Sequence, residues 1–255
     1  MTFVSLVIPA YNEAARICET VGEAYDYFRA RGQAFEIIVS ADGTDGTREA
    51  AAEFGRTREG IHVIGSPSRR GKGRGLREGV RIARGDVIGF TDADNKTPIT
   101  EYDKVEPQLR EGHDVVIGSR AIRGAQIEQY QPIYRRLGSS AFGLFMHLCV
   151  GLGDIPDTQC GFKFFRGDVA RDLFALQQID GYIFDVEVLY LARARGYRIA
   201  QVPVRWRDDG DSRSPVLSGS LKLGRDLLSV RWRHRQLAGR TASEPRTADV
   251  TRSDA

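Results

Sequence analysis

Two carboxylates one residue apart are the clearest chemical feature of the chain. Asp92 and Asp94 follow the apolar run at residues 87–91, so the sequence predicts that they lie at the end of a buried strand. Because residues i and i+2 of an extended chain point the same way, both carboxylates can face one cation. Hard oxygen ligands without His or Cys nearby favour Mg²⁺ or Mn²⁺ completed by substrate phosphates. Such pairs also occur in solvated turns, and the surrounding motifs decide between the two interpretations.

A glycine-rich basic loop precedes this pair. Residues 69–75 carry four cations and three glycines. Glycine permits close approach of the backbone to a ligand, and Lys and Arg suit a diphosphate, although a surface turn can have the same composition. Two further loops, at residues 9–13 and 42–47, each open a predicted helix whose first amides can hold an anion or a base edge. The Asp-Gly pairs of the second loop are also explained by turn chemistry alone.

The elements that must position these loops alternate in type. Short β-rich runs occur at residues 4–8, 35–39, 61–64, 87–91 and 115–118, and helical patterns separate them. One such pattern is the apolar stripe at Ile17, Val21, Ala24 and Phe28. The order predicts an α/β fold, Rossmann-like, with a mostly parallel sheet covered by helices on both faces. Ligands of such sheets bind at the carboxyl ends of the strands, where the motif loops lie.

Composition limits the classes of protein to consider. The chain has 255 residues, of which 41% are apolar, and this excludes wholesale disorder. A formal charge of +3 is too small for a nucleic-acid binder driven by bulk electrostatics. The three cysteines, Cys18, Cys149 and Cys160, lack CxxC spacing, so neither a disulfide framework nor a zinc site is predicted. No signal peptide is visible, and we expect a cytosolic, reducing environment.

Taken together, these motifs resemble the inverting family-2 glycosyltransferases with the GT-A fold, in particular the branch that charges polyprenyl or dolichyl phosphate with a sugar. The resemblance spans about residues 3–230 and rests on segments 7–13, 42–47, 71–73, 92–94, 118–120, 157–163 and 184–187, in the family's order. It implies one catalytic domain over residues 1–230. It also implies metal-dependent transfer of a hexose from a nucleotide sugar to a polyprenyl phosphate.

The resemblance also assigns roles on the donor side. The residues expected at the nucleotide base and ribose are Pro9, Tyr11, Glu13 and Asp42. Lys72 would lie near the donor phosphates, and Arg213 would close on the diphosphate. Asp92 and Asp94 would hold the metal ion, Mg²⁺ or Mn²⁺.

Other positions are expected to serve the acceptor and the sugar. Those that match the acceptor-phosphate site are Arg120, Arg135 and Ser139, with Arg136 and Ser140 as the alternative register. Asp157 and Gln159 would lie near the sugar. Asp185 and Glu187 are candidate catalytic bases or sugar contacts, and a satisfied helix N-terminus is the alternative for them.

The chain departs from the family pattern at positions that bear on the substrate. The usual Asp-Asp-Gly-Ser-x-Asp-Gly-Thr loop is one residue shorter, and Ala41 replaces its first Asp. Mannose-specific members often carry Gln where this chain has Lys96. Segments 157–163 and 184–187 are more similar to the dolichyl-phosphate glucosyltransferases, which favours UDP-glucose. The alternatives are GDP-mannose or UDP-N-acetylhexosamine as donor, a soluble acceptor, and a nucleotide-sugar-binding module without turnover.

The expected reaction needs little acid–base machinery. A phosphate monoester, with a second pKa of ~6, is largely dianionic at neutral pH and is already a nucleophile. A Ser-His-Asp arrangement is not required, and the four histidines are scattered at His62, His113, His147 and His234. We therefore expect each of them to be structural or on the surface.

Two segments favour contact with a membrane. Residues 137–153 contain no charged side chain but fall short of the ~20 apolar residues of a spanning helix. This favours an interfacial segment, with a buried core helix as the alternative. Residues 221–237 mix Leu, Val and Trp with Lys and Arg, which suits an anionic surface or an ordinary solvated helix.

The last residues lead to an expectation about location. Residues 238–255 are polar and are predicted to form a disordered tail without a spanning helix. We expect a peripheral enzyme on the cytoplasmic face of a membrane, with a small membrane protein as a further candidate partner.

Overall fold

A seven-stranded sheet forms the centre of the protein in the computed structural model, which describes residues 2–128, 150–207 and 220–236, the last range without side chains for 220–226. The strands of the described part are β1 (Val4–Tyr11), β2 (Phe35–Asp42), β3 (Ile61–Ser66), β4 (Val87–Phe90), β5 (Val115–Ser119), β6 (Gln126–Ile127), β7 (Lys163–Arg166), β8 (Ile199–Pro203) and β9 (Arg205–Trp206). Strand order in the large sheet is β3-β2-β1-β4-β7-β5-β8, and β6 pairs with β9 in a small second sheet.

Helices cover both faces of the large sheet. They are α1 (Ile17–Ala30), α2 (Thr47–Gly55), α3 (Lys72–Ile82), α4 (Tyr102–Arg110), α5 (Gly167–Leu176), α6 (Phe184–Ala194) and α7 (Ser220–Arg233), and a single 3₁₀ turn at Ile99–Glu101 precedes α4. In α1 the apolar stripe predicted from the sequence is buried, as helical periodicity requires. The predicted mostly parallel α/β sheet is thus confirmed.

The core consists of two layers, one on each side of the sheet. In β1, Val7 packs into one layer, whereas Leu6 and Ile8 pack into the other, because successive side chains of a strand point to opposite faces. The Val7 layer includes Leu76 of α3 and Leu189 of α6. A strand buried on both faces is mostly apolar, as residues 4–8 are, and its one polar side chain there, Ser5, donates to Oε1 of Glu36 at 2.6 Å.

Strand β7 is the exception to the parallel order. It runs antiparallel to both β4 and β5 and lies between them, with Lys163 opposite Phe90 of β4 and Ile117 of β5. Because β7 is reversed, its first residue lies at the edge where the parallel strands end. The segment that precedes β7 is therefore delivered to the same edge as the carboxylate pair.

Helix α7 is anchored to the core by apolar and polar contacts. Leu227 and Val230 are buried, and His234 follows the helix with its Nε2 2.7 Å from Oε1 of Glu187. Glu187, fully buried in α6, also accepts hydrogen bonds from the backbone N–H groups of 178 and 179 at 3.0 and 2.8 Å. One carboxylate therefore joins α6, α7 and the loop before α6.

Part of the predicted membrane segment and the whole predicted tail lie outside the described ranges. Of residues 137–153, only 150–153 are described, and Val150 and Leu152 are buried in the core. Residues 238–255 are not among the described residues. The interfacial segment and the disordered tail thus stay predictions.

The contact of His234 with Glu187 predicts a measurable stability loss. In His234→Ala, Glu187 keeps its two backbone donors but loses its side-chain partner, and we expect unfolding free energy to fall by about 1–3 kcal/mol. Urea denaturation measures it. His62→Ala is the matched control, because the His62 side chain is 45% exposed and Glu36 beside it also binds Ser5 and Arg84. Equal losses in the two variants would contradict the anchoring role of His234.

Candidate active site

The carboxylate pair lies directly beyond the end of β4. Asp92 and Asp94 follow the buried Thr91, and Lys72, the first residue of α3, places its Nζ 2.5 Å from Oδ1 of Asp92. Burial opposes the charge of Lys72, but the carboxylates of Asp92 and Asp185 outweigh it and raise the pKa of the ammonium above its ordinary value. Lys72 therefore stays charged and partly neutralises the site.

The charged form of Asp94 is disfavoured by its surroundings, although Lys96 and Lys72 both favour it. Burial and, next, the neighbouring Asp92 carboxylate raise the pKa of Asp94 to about 6. The backbone N–H of Lys96 donates to Oδ1 of Asp94 at 3.3 Å and acts in the opposite direction. Two carboxylates that repel each other in a half-buried place are stabilised by any cation between them.

The donor set fits Mg²⁺ or Mn²⁺. Both groups are hard carboxylate oxygens, and the Asp92 side chain is 39% exposed, so an ion can reach it. Within the described ranges, no group of three or more His, Cys, Asp and Glu side chains gathers as a closed metal cage. A carboxylate pair leaves other coordination positions of the ion open, and substrate phosphates can fill them.

Gly161 makes room for Asp92. A Cβ at position 161 would lie 2.0 Å from Oδ2 of Asp92, so any side chain there would displace the carboxylate. The segment at residues 157–162 is carried to this edge by the reversed strand β7. The glycine thus lets that segment close against the carboxylate pair, a function that its place in the sequence motif did not reveal.

Lys163 and Asp185 form a buried ion pair beneath this site. Lys163 is fully buried and donates to Oδ1 of Asp185 at 2.5 Å and to the carbonyl of Cys160 at 2.6 Å. Burial raises the pKa of Asp185, and the charges of Lys163 and Lys72 oppose that shift. Asp185 lies in the first turn of α6 but is only 2% exposed. The Asp185 carboxylate is thus paired and buried in this structure, and its role as a base or sugar contact stays a prediction.

The residues predicted for the nucleotide base meet at the ends of two neighbouring strands. Tyr11 and Asp42 are the last residues of β1 and β2 and are partners in the sheet register. Asp42 accepts hydrogen bonds from the backbone N–H of Arg70 at 2.7 Å and from its Nη2 at 3.2 Å. The Tyr11 ring is 40% exposed, and the guanidinium carbon of Arg69 lies 4.5 Å from its centroid.

Other residues assigned to the base are placed differently. Pro9 is buried within β1 and not in the loop, because β1 continues to Tyr11. The backbone N–H of Glu13 donates to Oγ1 of Thr47 at 2.9 Å and ties the two predicted base loops together. Ala41 is fully buried inside β2, so the substitution noted in the sequence falls in the sheet and Asp42 holds the position at the edge.

The glycines before and in α3 serve packing. The N–H groups of Gly73 and Arg74 donate to the carbonyl of Asp180 at 2.9 and 3.4 Å. A Cβ at Gly71, whose φ is +109°, would lie 2.3 Å from that carbonyl oxygen, and one at Gly73 would lie 2.5 Å from the carbonyl oxygen of Ile179. The amides of Gly73 and Arg74 are already hydrogen-bonded, so the prediction that this backbone binds a diphosphate is wrong for these two amides. The side chain of Lys72 stays the predicted contact.

Arg120 is bound to Asp157. The backbone N–H and Nε of Arg120 donate to Oδ2 of Asp157 at 2.8 Å each, and Nη2 donates to Oδ1 at 2.8 Å. Burial opposes the charge of Arg120, but Asp157 outweighs it and raises the pKa of the guanidinium. The two residues predicted separately for acceptor phosphate and sugar thus act as one unit. Gln159 is half-buried in the loop that follows.

Several predicted residues cannot be placed. Those that lie outside the described ranges are Arg135, Arg136, Ser139, Ser140 and Arg213. Their assignments stay predictions.

Sequence reasoning missed Trp206. Its ring centroid lies 5.5 Å from Nζ of Lys96 and 5.3 Å from the guanidinium carbon of Arg120. A cavity of about 210 Å³ opens beside Asp94, lined by Arg16, Glu19, Thr20, Asn95, Lys96 and Arg207. A single Trp near a short strand has no periodic context that would draw attention to it. The only sequence signal in this group was Lys96, which differs from the family pattern.

Comparison with known families decides the class of the protein. The model of the family described as Glycosyl transferase family 2 matches residues 5–174. The chain belongs to this family. It is an enzyme, and the glycosyltransferase predicted from its motifs is confirmed.

Curated relatives of this glycosyltransferase from distant eukaryotes share the same name. The chain is 34% identical over 241 residues to a dolichyl-phosphate beta-glucosyltransferase of Trichomonas vaginalis, covering 89% of this chain and 70% of that protein. It is 32% identical over 246 residues to the dolichyl-phosphate beta-glucosyltransferase of Homo sapiens, covering 91% and 75%.

Solved structures support the fold of this glycosyltransferase. Glucosyl-3-phosphoglycerate synthase from Mycobacterium tuberculosis, in complex with Mn²⁺, uridine diphosphate and phosphoglyceric acid, superposes with a TM-score of 0.67 at 23% identity, covering 91% of this chain and 78% of that one. Mannosyl-3-phosphoglycerate synthase from Rubrobacter xylanophilus gives 0.66 at 21%, covering 92% and 75%. The GT-A fold is therefore confirmed.

The close approach of Gly161 to Asp92 predicts weak metal binding in Gly161→Ala. The added Cβ must displace the Asp92 carboxylate, and we expect the affinity for Mn²⁺ to fall by about tenfold or more, as when metal ligands lose their support. Electron paramagnetic resonance of free Mn²⁺ measures this. Gly153→Ala is the control, because nothing lies within 4 Å of a Cβ there. Unchanged affinity in Gly161→Ala would remove Asp92 from the metal site.

The buried ion pair of Lys163 and Asp185 predicts that a single substitution costs more stability than the double substitution. Asp185→Leu leaves the Lys163 ammonium buried without its carboxylate, and we expect unfolding free energy to fall by about 3–5 kcal/mol. Lys163→Met/Asp185→Leu replaces both charges with apolar groups and should recover most of this loss. Urea denaturation and glycosyl transfer are measured together. A double variant that is stable but inactive would support a direct catalytic role for Asp185.

Proposed function

We propose that this glycosyltransferase transfers glucose from UDP-glucose to the phosphate of a polyprenol or dolichol, with inversion at the anomeric carbon. The observation that carries the proposal is one arrangement at the carboxyl edge of the sheet. Asp92 and Asp94 form a carboxylate pair of the kind that binds a metal ion, and Lys72 lies beside it. Arg120 follows β5, on the other side of β7. Glucose and a lipid-linked phosphate are supported by the names of the curated relatives, which match 89% or more of the chain.

On the donor side, the charges suit a nucleoside diphosphate. Asp92 and Asp94 would hold Mg²⁺ or Mn²⁺, and such an ion, when bound, supplies Lewis-acid stabilisation of the departing diphosphate. Lys72 places its ammonium next to Asp92 and adds a fixed positive charge to the same place. Tyr11 and Asp42, at the ends of β1 and β2, are proposed to contact the base and ribose.

On the acceptor side, no general base is needed. A phosphate monoester is largely dianionic at neutral pH, with a second pKa of ~6, and attacks without losing a proton to the enzyme. The buried, paired state of Asp185 agrees with this chemistry. What the acceptor requires is positive charge in a fixed position, and Arg120, bound at three points by Asp157, is held in that way.

The same proposal places the enzyme on the surface of a membrane, on the cytoplasmic face. Within the described residues, no helix is both long and apolar enough to cross a bilayer. On α7, Leu228 and Trp232 lie one turn apart and are 61% and 67% exposed, whereas Leu227 is buried. Arg235 lies beside the Trp232 ring at 5.3 Å. An exposed apolar and aromatic face with adjacent Arg suits an anionic interface.

A donor and acceptor panel tests this function. The enzyme is incubated with UDP-glucose, GDP-mannose or UDP-N-acetylglucosamine, with Mg²⁺ or Mn²⁺, and with a short polyprenyl phosphate or 3-phosphoglycerate as acceptor. We expect a product of the mass of polyprenyl phosphoglucose from UDP-glucose alone. Turnover of 3-phosphoglycerate without lipid product would overturn the acceptor, and product from another donor would overturn the sugar.

Asp94→Asn tests the role of the carboxylate pair. A metal ion contributes several kcal/mol of charge stabilisation, so we expect kcat to fall by about 1000-fold. Asp103→Asn is the control, since this carboxylate is 57% exposed and contacts Arg31. Circular dichroism checks that both variants are folded, and a folded Asp94→Asn with ordinary turnover would contradict the metal site.

A further inference from the structure

The first turn of α3 is completed by a carbonyl group from a distant part of the chain. The N–H groups of Gly73 and Arg74 donate to the carbonyl oxygen of Asp180 at 2.9 and 3.4 Å. The first N–H groups of a helix have no partner within the helix, and the N-cap residue Gly71 has no side chain to supply one. The segment at residues 177–180 therefore helps to determine where α3 begins, and Lys72 is the first residue of that helix.

Two charged side chains hold the 177–180 segment. Glu187 of α6 accepts the backbone N–H groups of the segment's two middle residues at 3.0 and 2.8 Å, one on each carboxylate oxygen. Arg77 of α3 donates to the carbonyl of Gln177 at 3.1 Å and to Oδ1 of Asp180 at 2.6 Å. Glu187 is fully buried, and hydrogen bonds to a carboxylate are stronger there than in water.

The contact between this segment and α3 is tight. A Cβ at Gly73 would lie 2.5 Å from the carbonyl oxygen of Ile179 and 2.6 Å from Cβ of Phe184. The segment cannot move towards α3 without a clash, and it cannot move away without breaking the hydrogen bonds to Asp180. A shift of the 177–180 segment therefore shifts the start of α3.

The start of α3 carries the ammonium that lies beside the carboxylate pair. Nζ of Lys72 is 2.5 Å from Oδ1 of Asp92 and 5.7 Å from the ring centroid of Phe184. The Lys72 side chain is only 18% exposed, so packing leaves it little freedom to compensate for a shift of its backbone. The position of this positive charge thus depends on the 177–180 segment.

We propose that Glu187 and Arg77 are positioning residues of the transfer reaction. Through the 177–180 segment they place the Lys72 ammonium where the diphosphate of the donor binds. The inference rests on the proposed function, in which Lys72 meets that diphosphate. Glu187 is fully buried and acts through the segment, not on the substrate. A displacement of about 1 Å at such a charge is enough to weaken its action strongly.

Donor binding in Glu187→Gln tests this role. The new amide group faces one of the two backbone N–H groups, which loses its acceptor while the side chain keeps its volume. We expect KM for UDP-glucose, and the Kd of UDP with Mg²⁺ by calorimetry, to rise about tenfold, while KM for polyprenyl phosphate stays within about twofold.

His234→Ala is the matched control for stability. It removes a side-chain partner of the same carboxylate but leaves both hydrogen bonds to the 177–180 segment. This variant should lose stability and keep both KM values. A merely structural role of Glu187 would likewise reduce the amount of active enzyme, and so kcat, without raising KM for the donor.

A second set of variants tests the proposal where Glu187→Gln fails to fold. Arg77→Leu should raise KM for UDP-glucose in the same way, whereas Arg77→Lys keeps a charge opposite Asp180 and should have a smaller effect. Arg81→Leu is the control, because Arg81 is exposed on the same helix, one turn farther from Lys72, and both KM values should stay unchanged.

The outcomes separate this role from the proposed function. An unchanged donor KM in the folded Glu187 and Arg77 variants, or an equal rise in His234→Ala and Arg81→Leu, would overturn the positioning role. Failure of the unmodified enzyme to use UDP-glucose would instead overturn the proposed function, and the variants are then compared with the nucleoside diphosphate that the enzyme does bind.

Discussion

Charge balance at the carboxyl edge of the sheet is the constraint on which the rest of the site depends. Three carboxylates, Asp92, Asp94 and Asp185, lie near the ammonium groups of Lys72, Lys163 and Lys96, in surroundings that water reaches only in part. Removing Lys163 would deprive the buried Asp185 carboxylate of its partner, which costs far more than the pair contributes. Burial and the Asp92 carboxylate raise the pKa of Asp94 to about 6, against the charges of Lys96 and Lys72. The pair of Asp92 and Asp94 is thus stabilised by positive charge, and the ion pair of Lys163 and Asp185 lies beneath it.

The reversed strand β7 gives this constraint its geometry. Its first residue supplies Lys163 to the buried pair, and the segment before it brings Gly161 against Asp92 and Asp157 against Arg120. The same strand separates β4 from β5. Under the proposed function, this separation sets the distance between the donor residues and the acceptor residues.

The early strands and α1 were predictable because the spacing of apolar residues in each segment indicates its secondary structure directly. The place of Asp92 and Asp94 beyond the end of β4 was predictable for the same reason, because the apolar run marks where the strand ends. Contacts between distant segments were not predictable, and the pairing of Asp185 with Lys163 is one of them. Likewise, the start of α3 suited a phosphate-binding loop, but the amides of Gly73 and Arg74 bind the carbonyl of Asp180. The contacts of Trp206 with Lys96 and Arg120 depend on how β9 is placed in the fold, and no property of its neighbours in the sequence encodes that.

The position of β7 also governs the order in which the sheet can assemble during synthesis. β4 and β5 leave the ribosome before residues 163–166 do, yet they pair with β7 and not with each other. Until β7 arrives, β4 is the edge of a β3-β2-β1-β4 fragment, and β5 has neither of its partners, because β8 also follows it in the chain. The pairing of β7 closes a long-range contact, which is the slow kind of folding event. An unpaired strand edge is a place where another chain can add. The strand that completes the carboxylate site therefore also covers the exposed edge of β4.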